Sequence, residues 1–195
     1  MGKIVYLMGK SGAGKDTVYK QVLENKEIEF QKIIPYTTRP IRAGEKNGME
    51  YFFTDEDRFL ELKEAGRLIE DRVYHTCMGI WRYFTVMDDQ LDPEHNNYLM
   101  IGTLESFIRT REFFGDDKMI PVMLELDDGV RLQRALDREK IQEHPRYNEM
   151  CRRFLADEED FSEEKLKAAG ITKKFVNNDL QECLREIMLY LKGNL

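Results

Sequence analysis

The sequence predicts an α/β fold in which helices flank both faces of an open, mostly parallel sheet. Short apolar runs typical of buried strands alternate along the chain with amphipathic stretches at helical spacing. A glycine-rich turn follows the first apolar run, residues 3–8, and open sheets of this type bind their ligands where such strands end. The length of 195 residues suits one well-packed domain with a mobile insertion and is too short for two ordinary domains.

The turn after the first strand has the sequence Gly9-Lys-Ser-Gly-Ala-Gly-Lys-Asp-Thr17, which contains the Gly-x-x-x-x-Gly-Lys pattern of a phosphate-binding loop. Its glycines allow the backbone to curl around phosphate oxygens, and Lys15 adds a positive charge beside the N-terminus of the next helix. An ordinary glycine-rich turn is the alternative. We expect the loop to bind ATP through the following residues: Gly9, Ser11, Gly12, Ala13, Gly14, Lys15, Asp16 and Thr17.

The residue after the loop lysine departs from the usual pattern. That residue is normally Ser or Thr, whose hydroxyl binds Mg²⁺, whereas this chain has Asp16 followed by Thr17. The order Gly-Lys-x-Thr resembles the adenylate kinases, in which the threonine contacts the nucleotide phosphates. A carboxylate at a helix N-terminus is favoured by the helix dipole and disfavoured beside a triphosphate. Two alternatives follow, in which Asp16 binds Mg²⁺ or turns away from the nucleotide.

Composition excludes several classes of partner. Charged residues make up 34% of the chain and the net charge is −7, whereas a protein that binds a nucleic-acid polymer needs a basic face. The cysteines, Cys77, Cys151 and Cys183, are widely spaced and predict reduced thiols rather than disulfides or a zinc site. No apolar run approaches the roughly 20 residues that cross a bilayer, and no signal sequence precedes the first strand. We therefore expect a cytoplasmic protein without membrane or nucleic-acid partners.

Helix caps and apolar runs predict the remaining elements. Thr54 followed by Asp57 predicts a helix start, Gly66 predicts the end of that helix, and Thr103 predicts the N-cap of another. The sequence Asn47-Gly48 predicts a hairpin turn. Periodicity predicts the following further elements: a helix at 16–25, core strands at 32–35, 98–101 and 119–126, and an edge strand from 174 with a closing helix after it.

The segment 36–51 closely resembles the guanylate kinases, with which it shares the pattern Thr-Thr-Arg-Pro-x-Arg-x-Gly-Glu-x-Asn-Gly-x-x-Tyr. The resemblance implies a subdomain that holds the phosphate of GMP with Arg39, Arg42 and Tyr51. Guanidinium forks suit this role because they match phosphate oxygens bidentately. Solvated arginines on a loop are the alternative.

A second segment, Arg67-Leu-Ile-Glu70, resembles the family's Glu-Phe-x-Glu, in which the second glutamate recognises guanine. An ionised carboxylate can accept from both N1–H and N2–H of that base. A surface glutamate on a strand is the alternative. By resemblance we expect Glu70 to bind the base.

The resemblance is weak between residues 73 and 104. The family's Tyr-Gly-Ser/Thr is replaced by Met78-Gly79-Ile80, and its Asp-x-Asp, which serves metal and guanine, is replaced by Ile101-Gly102-Thr103. Pro35 stands at a further position where the family has a polar base contact. Tyr74 or Tyr83 is a candidate to substitute for one lost contact, but aromatic residues at alternating positions are more typical of strand packing. We therefore expect GMP or dGMP to remain the best acceptor, with weaker selectivity over IMP and AMP than in the family.

The segment from 127 to 161 predicts two helices joined by a polar loop. The first carries Leu132, Ala135 and Leu136 on one side and arginines on another. By resemblance this is the lid of a nucleoside monophosphate kinase, with Arg134, Arg138 and Arg153 as phosphate-clamping catalytic residues. An amphipathic surface helix with solvated arginines is the alternative. The ending Val176-Asn-Asn-Asp-Leu180 resembles the family's Val-x-Asn-Asp-Asp-Leu, in which the asparagine, here Asn177, lies near adenine.

These expectations combine into one guanylate-kinase-like domain with the P-loop three-layer α/β fold. We expect a core at 1–35, 97–135 and 170–195, an inserted monophosphate-binding subdomain at 36–89, and a helical lid at about 136–153. The implied reaction is the ATP- and Mg²⁺-dependent phosphorylation of GMP or dGMP to the diphosphate, catalysed by Lys15 with the lid arginines. Two alternatives remain: a binding domain that has lost efficient catalysis, which Thr103 and Asp16 favour, and a P-loop kinase for another small acceptor.

Overall fold

The computed structural model describes residues 2–42, 44–76 and 79–195, so that Cys77 and Met78 of the sequence analysis lie outside the described residues. The larger of the two sheets is formed by the strands β1 Ile4–Gly9, β2 Gln31–Lys32, β7 Tyr98–Gly102, β8 Met119–Glu125 and β9 Lys174–Val176. Its spatial order is β2-β7-β1-β8-β9, and every pairing is parallel. The predicted α/β fold with a mostly parallel sheet is confirmed.

Helices cover both faces of this sheet. The central strand β1 is therefore buried on both sides. Ile4, Tyr6 and Met8 pack into one apolar cluster, while Val5 and Leu7 pack into another on the opposite face. The helices beside the sheet are α1 Lys15–Leu23, α3 Leu104–Phe114, α4 Asp128–Lys140, α5 Tyr147–Asp160, α6 Glu163–Ala168 and α7 Leu180–Lys192. None of the helices in the described part of the chain is long and apolar enough to cross a membrane.

A smaller mixed sheet lies in the segment between β2 and β7. Its elements are β3 Tyr36–Thr37, β4 Phe52–Phe53, α2 Glu56–Glu64, β5 Leu68–Thr76 and β6 Gly79–Val86. The spatial order is β4-β3-β6-β5, with β5 and β6 antiparallel. Phe59 and Leu62 of α2 pack against Phe84 on one face of this sheet, which leaves the opposite face for other contacts.

Two of the predicted local structures are wrong. The second core strand was expected at 32–35, but β2 lies at the sheet edge with both side chains exposed. Pro35 instead uses its carbonyl to accept from Phe52 N at 2.9 Å, because proline has no N–H to offer a ladder. The sequence Asn47-Gly48 does form a turn, but it does not make a hairpin, because the flanking strands β3 and β4 pair in parallel.

Helix starts agree with the predictions in one case and differ by one residue in another. Thr103 is the N-cap of α3, as predicted, and its side chain accepts from Ser106 N. At α2 the prediction of Thr54 is wrong, because Asp55 is the N-cap and its carboxylate accepts from Arg58 N at 2.8 Å. The carboxylate of Asp55, one residue after Thr54, accepts a hydrogen bond from an unpaired N–H of the first helical turn, as a hydroxyl would.

Candidate functional site

The loop between β1 and α1 has the geometry of a phosphate cradle. Gly12 and Gly14 have φ angles of 82° and 92°, in the left-handed region that side chains avoid. A Cβ at Gly14 would also lie 2.4 Å from Asn177 Nδ2. Gly14 is the N-cap of α1 and provides no side-chain cap. The glycine pattern therefore reflects both backbone conformation and close approach of the C-terminal segment.

Lys15 lies against its own loop. Its ammonium donates to Gly9 O at 2.7 Å and to Lys10 O at 3.1 Å. Burial lowers the pKa of Lys15, and the nearby carboxylates Asp157 and Asp16 oppose this shift. The carbonyl contacts hold the positive charge of Lys15 at the mouth of the loop.

A cavity of about 370 Å³ lies next to the loop. Its lining comprises Gly12, Gly14, Lys15, Asp16, Thr17, Arg134, Arg138, Asn177, Asn178 and Leu180. Arg134 NH1 donates to Gly12 O at 3.4 Å, and the buried Asn177 donates through Nδ2 to Ala13 O at 2.8 Å. Segments that are distant in sequence thus meet at the loop, so that positive charge from two elements faces one space.

Arg153 does not line this cavity. It is 66% exposed on α5 and donates to Glu149 Oε1 at 3.0 Å. Together with Arg152, which contributes more, it holds the pKa of Glu149 down at about 2. The structure therefore brings two of the predicted lid arginines to the cavity and leaves the third in a surface ion pair.

Asp16 and Thr17 are oxygen donors available for a metal ion at this cavity. Both are exposed in the first turn of α1. Nowhere in residues 2–42, 44–76 and 79–195 do three or more His, Cys, Asp or Glu side chains gather in a way that could hold a metal. This donor set fits Mg²⁺, which commonly takes one or two carboxylates and completes its shell with substrate phosphates and water.

The cleft-facing side of the small sheet carries the predicted base-binding residue. Register pairs Glu70 with Thr85 and Arg72 with Tyr83, so that all four side chains lie on one face. Glu70 is only 4% exposed and accepts from Thr85 Oγ1 at 2.8 Å and from Arg72 Nε at 3.1 Å. The alternative of a surface glutamate is wrong. The carboxylate is instead buried and oriented, with lone pairs remaining on each oxygen.

The predicted phosphate-binding arginine, Arg39, is 3% exposed and already bonded. Its NH1 and NH2 donate to the two carboxylate oxygens of Glu45 at 3.0 and 2.8 Å, and its Nε donates to Tyr83 OH at 3.1 Å. This fork, with the backbone N–H of Arg42, lowers the pKa of Glu45 to about 2. The alternative of solvated arginines is therefore wrong for Arg39, whereas Arg42 is exposed.

Tyr51 completes this cluster. Its ring centroid lies 5.5 Å from Arg39 Cζ and 5.5 Å from the ring of Tyr83. The predicted residues Arg39 and Tyr51, from opposite ends of the segment between β3 and β4, thus meet at one guanidinium. Glu45 occupies the bidentate position that suits a phosphate, because carboxylate and phosphate oxygens match the same guanidinium fork.

The sequence analysis missed four residues at these sites: Arg72, Tyr83, Glu45 and Arg131. Arg72 follows Glu70 by two positions on a strand, and this spacing alone places both on one face. Tyr83 was assigned to strand packing, but its hydroxyl contacts Arg39. On α4 the expected apolar side is partly wrong, because Arg131 is 1% exposed while Leu132 is 39% exposed. No periodicity in the sequence distinguishes these neighbours.

Ile101 and Thr103 stand where the resemblance would place an acidic pair. Thr103 Oγ1 lies 3.1 Å from Ser106 Oγ, and the Thr110 hydroxyl donates to Ser106 O at 2.7 Å. A Cβ at Gly102 would lie 2.3 Å from Tyr6 OH. Burial raises the pKa of Tyr6, so this group remains a neutral hydroxyl. The end of β7 is therefore uncharged.

Comparisons with known proteins agree with this geometry. A guanylate kinase family model matches residues 1–78. The guanylate kinase of Malacoplasma penetrans is 34% identical over 122 residues, which cover 63% of this chain and 57% of the relative. That of Caldanaerobacter subterraneus subsp. tengcongensis is 30% identical over 145 residues, 72% of this chain and 68% of the relative.

A solved structure extends the likeness over the whole chain. The crystal structure of guanylate kinase from Anaplasma phagocytophilum superposes with a TM-score of 0.64 at 22% identity, covering 98% of this chain and 85% of the other, which shows a shared fold. The matched part of this chain spans about half the length of the first curated relatives, 57% and 50%. The extent and identity of these matches show that the chain belongs to the guanylate kinase family.

Proposed function

We propose that this chain is an ATP- and Mg²⁺-dependent nucleoside monophosphate kinase that converts GMP or dGMP to the diphosphate. Family membership supports the reaction class. The observation that carries the proposal is the cavity in which Lys15, Arg134 and Arg138 meet beside a glycine-rich loop. Phosphoryl transfer requires positioning and charge neutralisation more than covalent chemistry, and this cavity offers both.

The donor nucleotide binds at the loop. ATP phosphates lie against backbone N–H groups of the loop other than that of Ser11, which Asp157 holds, and Lys15 contacts the phosphate that is transferred. Asn177, which already contacts the loop at Ala13 O, lies near adenine. Mg²⁺, when bound, neutralises phosphate charge; Asp16 and Thr17 are the side chains that would hold it beside the nucleotide.

The acceptor phosphate binds at the cluster of Arg39, Arg42 and Tyr51. Since Glu45 occupies the fork of Arg39, an incoming phosphate either displaces this carboxylate or binds beside it through the exposed Arg42 and Tyr51. In the first case the acceptor exchanges one bidentate anion for another. This exchange costs little in desolvation because the guanidinium is paired both before and after it.

The acceptor base binds at Glu70. The carboxylate accepts from N1–H of a 6-oxopurine, and Arg72, bonded to it through Nε, supplies the N–H donors of its fork for the base oxygen. This pair offers a donor beside an acceptor, which matches the O6 and N1–H edge of guanine and opposes adenine. Arg72 thereby compensates in part for Pro35 and Thr103, which stand where the family has polar or acidic groups facing the base.

The lid, at about 136–153, comprises the end of α4, the connecting loop and the start of α5, and the acceptor subdomain lies at 36–89. Closure moves Arg138 and Arg153 toward the phosphates and excludes water from the transfer. Arg153 exchanges its surface partner Glu149 for phosphate oxygens in that state. The arginines act on the charge of the transition state, which is why they lie on mobile elements rather than in the loop.

One specific observation favours a second candidate function. The neutral hydroxyl cluster at Thr103 replaces the acidic pair, so that a guanylate-kinase-like domain that binds nucleotide without efficient catalysis is a consistent alternative. The cationic cavity opposes it, because a binding module needs no clamp for transition-state charge.

The deciding experiment is an ADP-release assay with ATP and Mg²⁺ across purine and pyrimidine monophosphates. We expect GMP and dGMP to give the highest rates, and Lys15→Ala, a matched control, to give background. A wild-type rate equal to that of Lys15→Ala with every acceptor would exclude the kinase and support the binding domain.

A further inference from the structure

Side chains from two helices that are distant in sequence hold the phosphate-binding loop at one residue, Ser11. Its N–H donates to Asp157 Oδ2 on α5 at 2.7 Å, and its carbonyl accepts from Arg131 NH1 on α4 at 3.1 Å. Both backbone polar groups of a loop residue are thus bonded to the pair of helices that flank the lid. An ordinary loop would leave such groups to solvent.

Arg131 cannot move freely, because its guanidinium is enclosed. Its NH2 donates to Asp128 Oδ1 at 2.5 Å and to Glu158 Oε1 at 2.6 Å, and its Cζ lies 4.7 Å from the centroid of the Phe154 ring. The side chain is 1% exposed. A buried arginine with this set of partners has one conformation and can therefore fix the carbonyl to which it donates.

The peptide unit that Asp157 holds is also the one that Lys15 contacts. The carbonyl of Lys10 and the N–H of Ser11 belong to the same rigid plane. That carbonyl accepts from Lys15 Nζ at 3.1 Å and from Ala13 N at 3.2 Å. Any rotation of this plane caused by losing Asp157 would therefore move the anchor of the loop lysine.

We propose that Asp157 is a positioning residue of the donor site, which sets the Lys10–Ser11 peptide and through it the ammonium of Lys15, while Arg131 holds the other side of Ser11 at its carbonyl. The inference rests on the proposed function, since it assigns the loop to ATP. It also couples the lid to the loop, because the two contacts come from the helices on either side of the lid. Neither residue touches the acceptor cluster around Arg39.

The test compares three variants by equilibrium binding of ATP with Mg²⁺ and, separately, of GMP. Asp157→Ala removes the acceptor, Asp157→Asn keeps an acceptor oxygen without the charge, and Asp160→Ala removes an exposed carboxylate of the same helix as a control. We expect the ATP Kd of Asp157→Ala to rise about tenfold, as for the loss of one good hydrogen bond. The asparagine variant should stay closer to wild type, and the GMP Kd should change in none of them.

The outcomes separate this inference from the proposed function. Wild-type protein that fails to bind ATP overturns the donor site itself. Wild-type protein that binds ATP, with an Asp157→Ala variant of the same affinity or one whose GMP Kd rises equally, overturns only the positioning role. If Asp157→Ala does not fold, the Ser11 amide proton of the wild type decides: we expect this proton to be protected from hydrogen exchange, because it is bonded to Asp157. A Ser11 amide that exchanges as fast as a solvent-exposed loop amide contradicts the contact.

Discussion

The donor and acceptor sides of this protein differ in how much of the expected chemistry they retain. On the donor side the loop, Lys15 and Asn177 meet in one cavity with the lid-helix arginines. On the acceptor side the proposed phosphate-binding residues Arg39 and Tyr51 lie in one cluster, but Glu45 occupies the fork of Arg39, and the proposed base pocket has a neutral hydroxyl group at Thr103 and a proline at position 35. The chain has thus changed most where a base, rather than a phosphate, would bind.

The difference follows from what each side must bind. Phosphates are the same in every nucleotide, so a loop, a lysine and arginines serve any acceptor. Bases differ only in a few donors and acceptors, and each contact contributes on the order of 1 kcal/mol net to discrimination. We infer that the catalytic machinery tolerates little change, whereas the base pocket can change and alter selectivity without abolishing transfer.

The largest effect is expected on the donor side, from removing the side chain of Lys15. Lys15→Ala removes the charge that the loop holds against Gly9 O, and kcat/KM for the ATP reaction should fall by about 10³-fold or more. Circular dichroism should show an unchanged fold, since the side chain packs against no apolar cluster. A variant with near wild-type kcat/KM would mean that the loop does not bind the donor.

The next effect tests closure. Arg138→Ala and Arg153→Ala should each lower kcat by about 10²-fold while changing the ATP Kd little, because these arginines contact phosphates only in the closed state. Arg152→Ala, which removes a neighbour that also pairs with Glu149, is the matched control for Arg153. A loss of thermal stability with unchanged kcat would identify the arginines as solvated surface residues.

A smaller effect is expected on selectivity for the acceptor base. Glu70→Gln replaces one acceptor oxygen by an amide donor, which would face the N1–H of guanine, and selectivity for GMP over AMP should fall about 30-fold, as expected for hydrogen bonds to a charged group. The change is read from kcat/KM for both acceptors. Unaltered selectivity would show that another group recognises the base.

The smallest effect is expected on the acceptor side, from removing the side chain of Arg72. Arg72→Ala removes a donor beside Glu70, and kcat/KM for GMP should fall about tenfold while that for AMP changes less. Arg109→Ala, on an exposed ion pair with Asp71, is a control for loss of an arginine near the same strand. Equal losses for both acceptors would show that Arg72 does not contribute to selectivity for the base.

Much of this architecture could be predicted from the sequence because its signals are local. The loop glycines, the apolar strands at 98–101 and 119–126 and the cap at Thr103 each depend on a few neighbouring residues, and these are present as expected. The pairing of β3 with β4 in parallel could not be predicted from Asn47-Gly48, since a turn motif fixes local bending but not which edges meet.

The candidate site was less predictable because its key pairs are distant. Arg131 and Asp157 bond to the same loop residue, yet nothing in either helix marks them among many charged neighbours. The burial of Glu70 similarly depends on Thr85, which only the register of β5 and β6 brings to it. Long-range charge pairing, unlike periodicity, leaves no pattern in a single sequence.

The measurement that tests the central claim most directly is kcat/KM of the wild-type protein for GMP, IMP and AMP with ATP and Mg²⁺. If donor chemistry is retained and base recognition is reduced but still carried by Glu70, the order should be GMP, then IMP, then AMP. IMP should fall about tenfold below GMP, since it lacks the N2–H donor. Equal kcat/KM for AMP and GMP would contradict the account, because adenine N1 carries no hydrogen to donate to the buried carboxylate of Glu70.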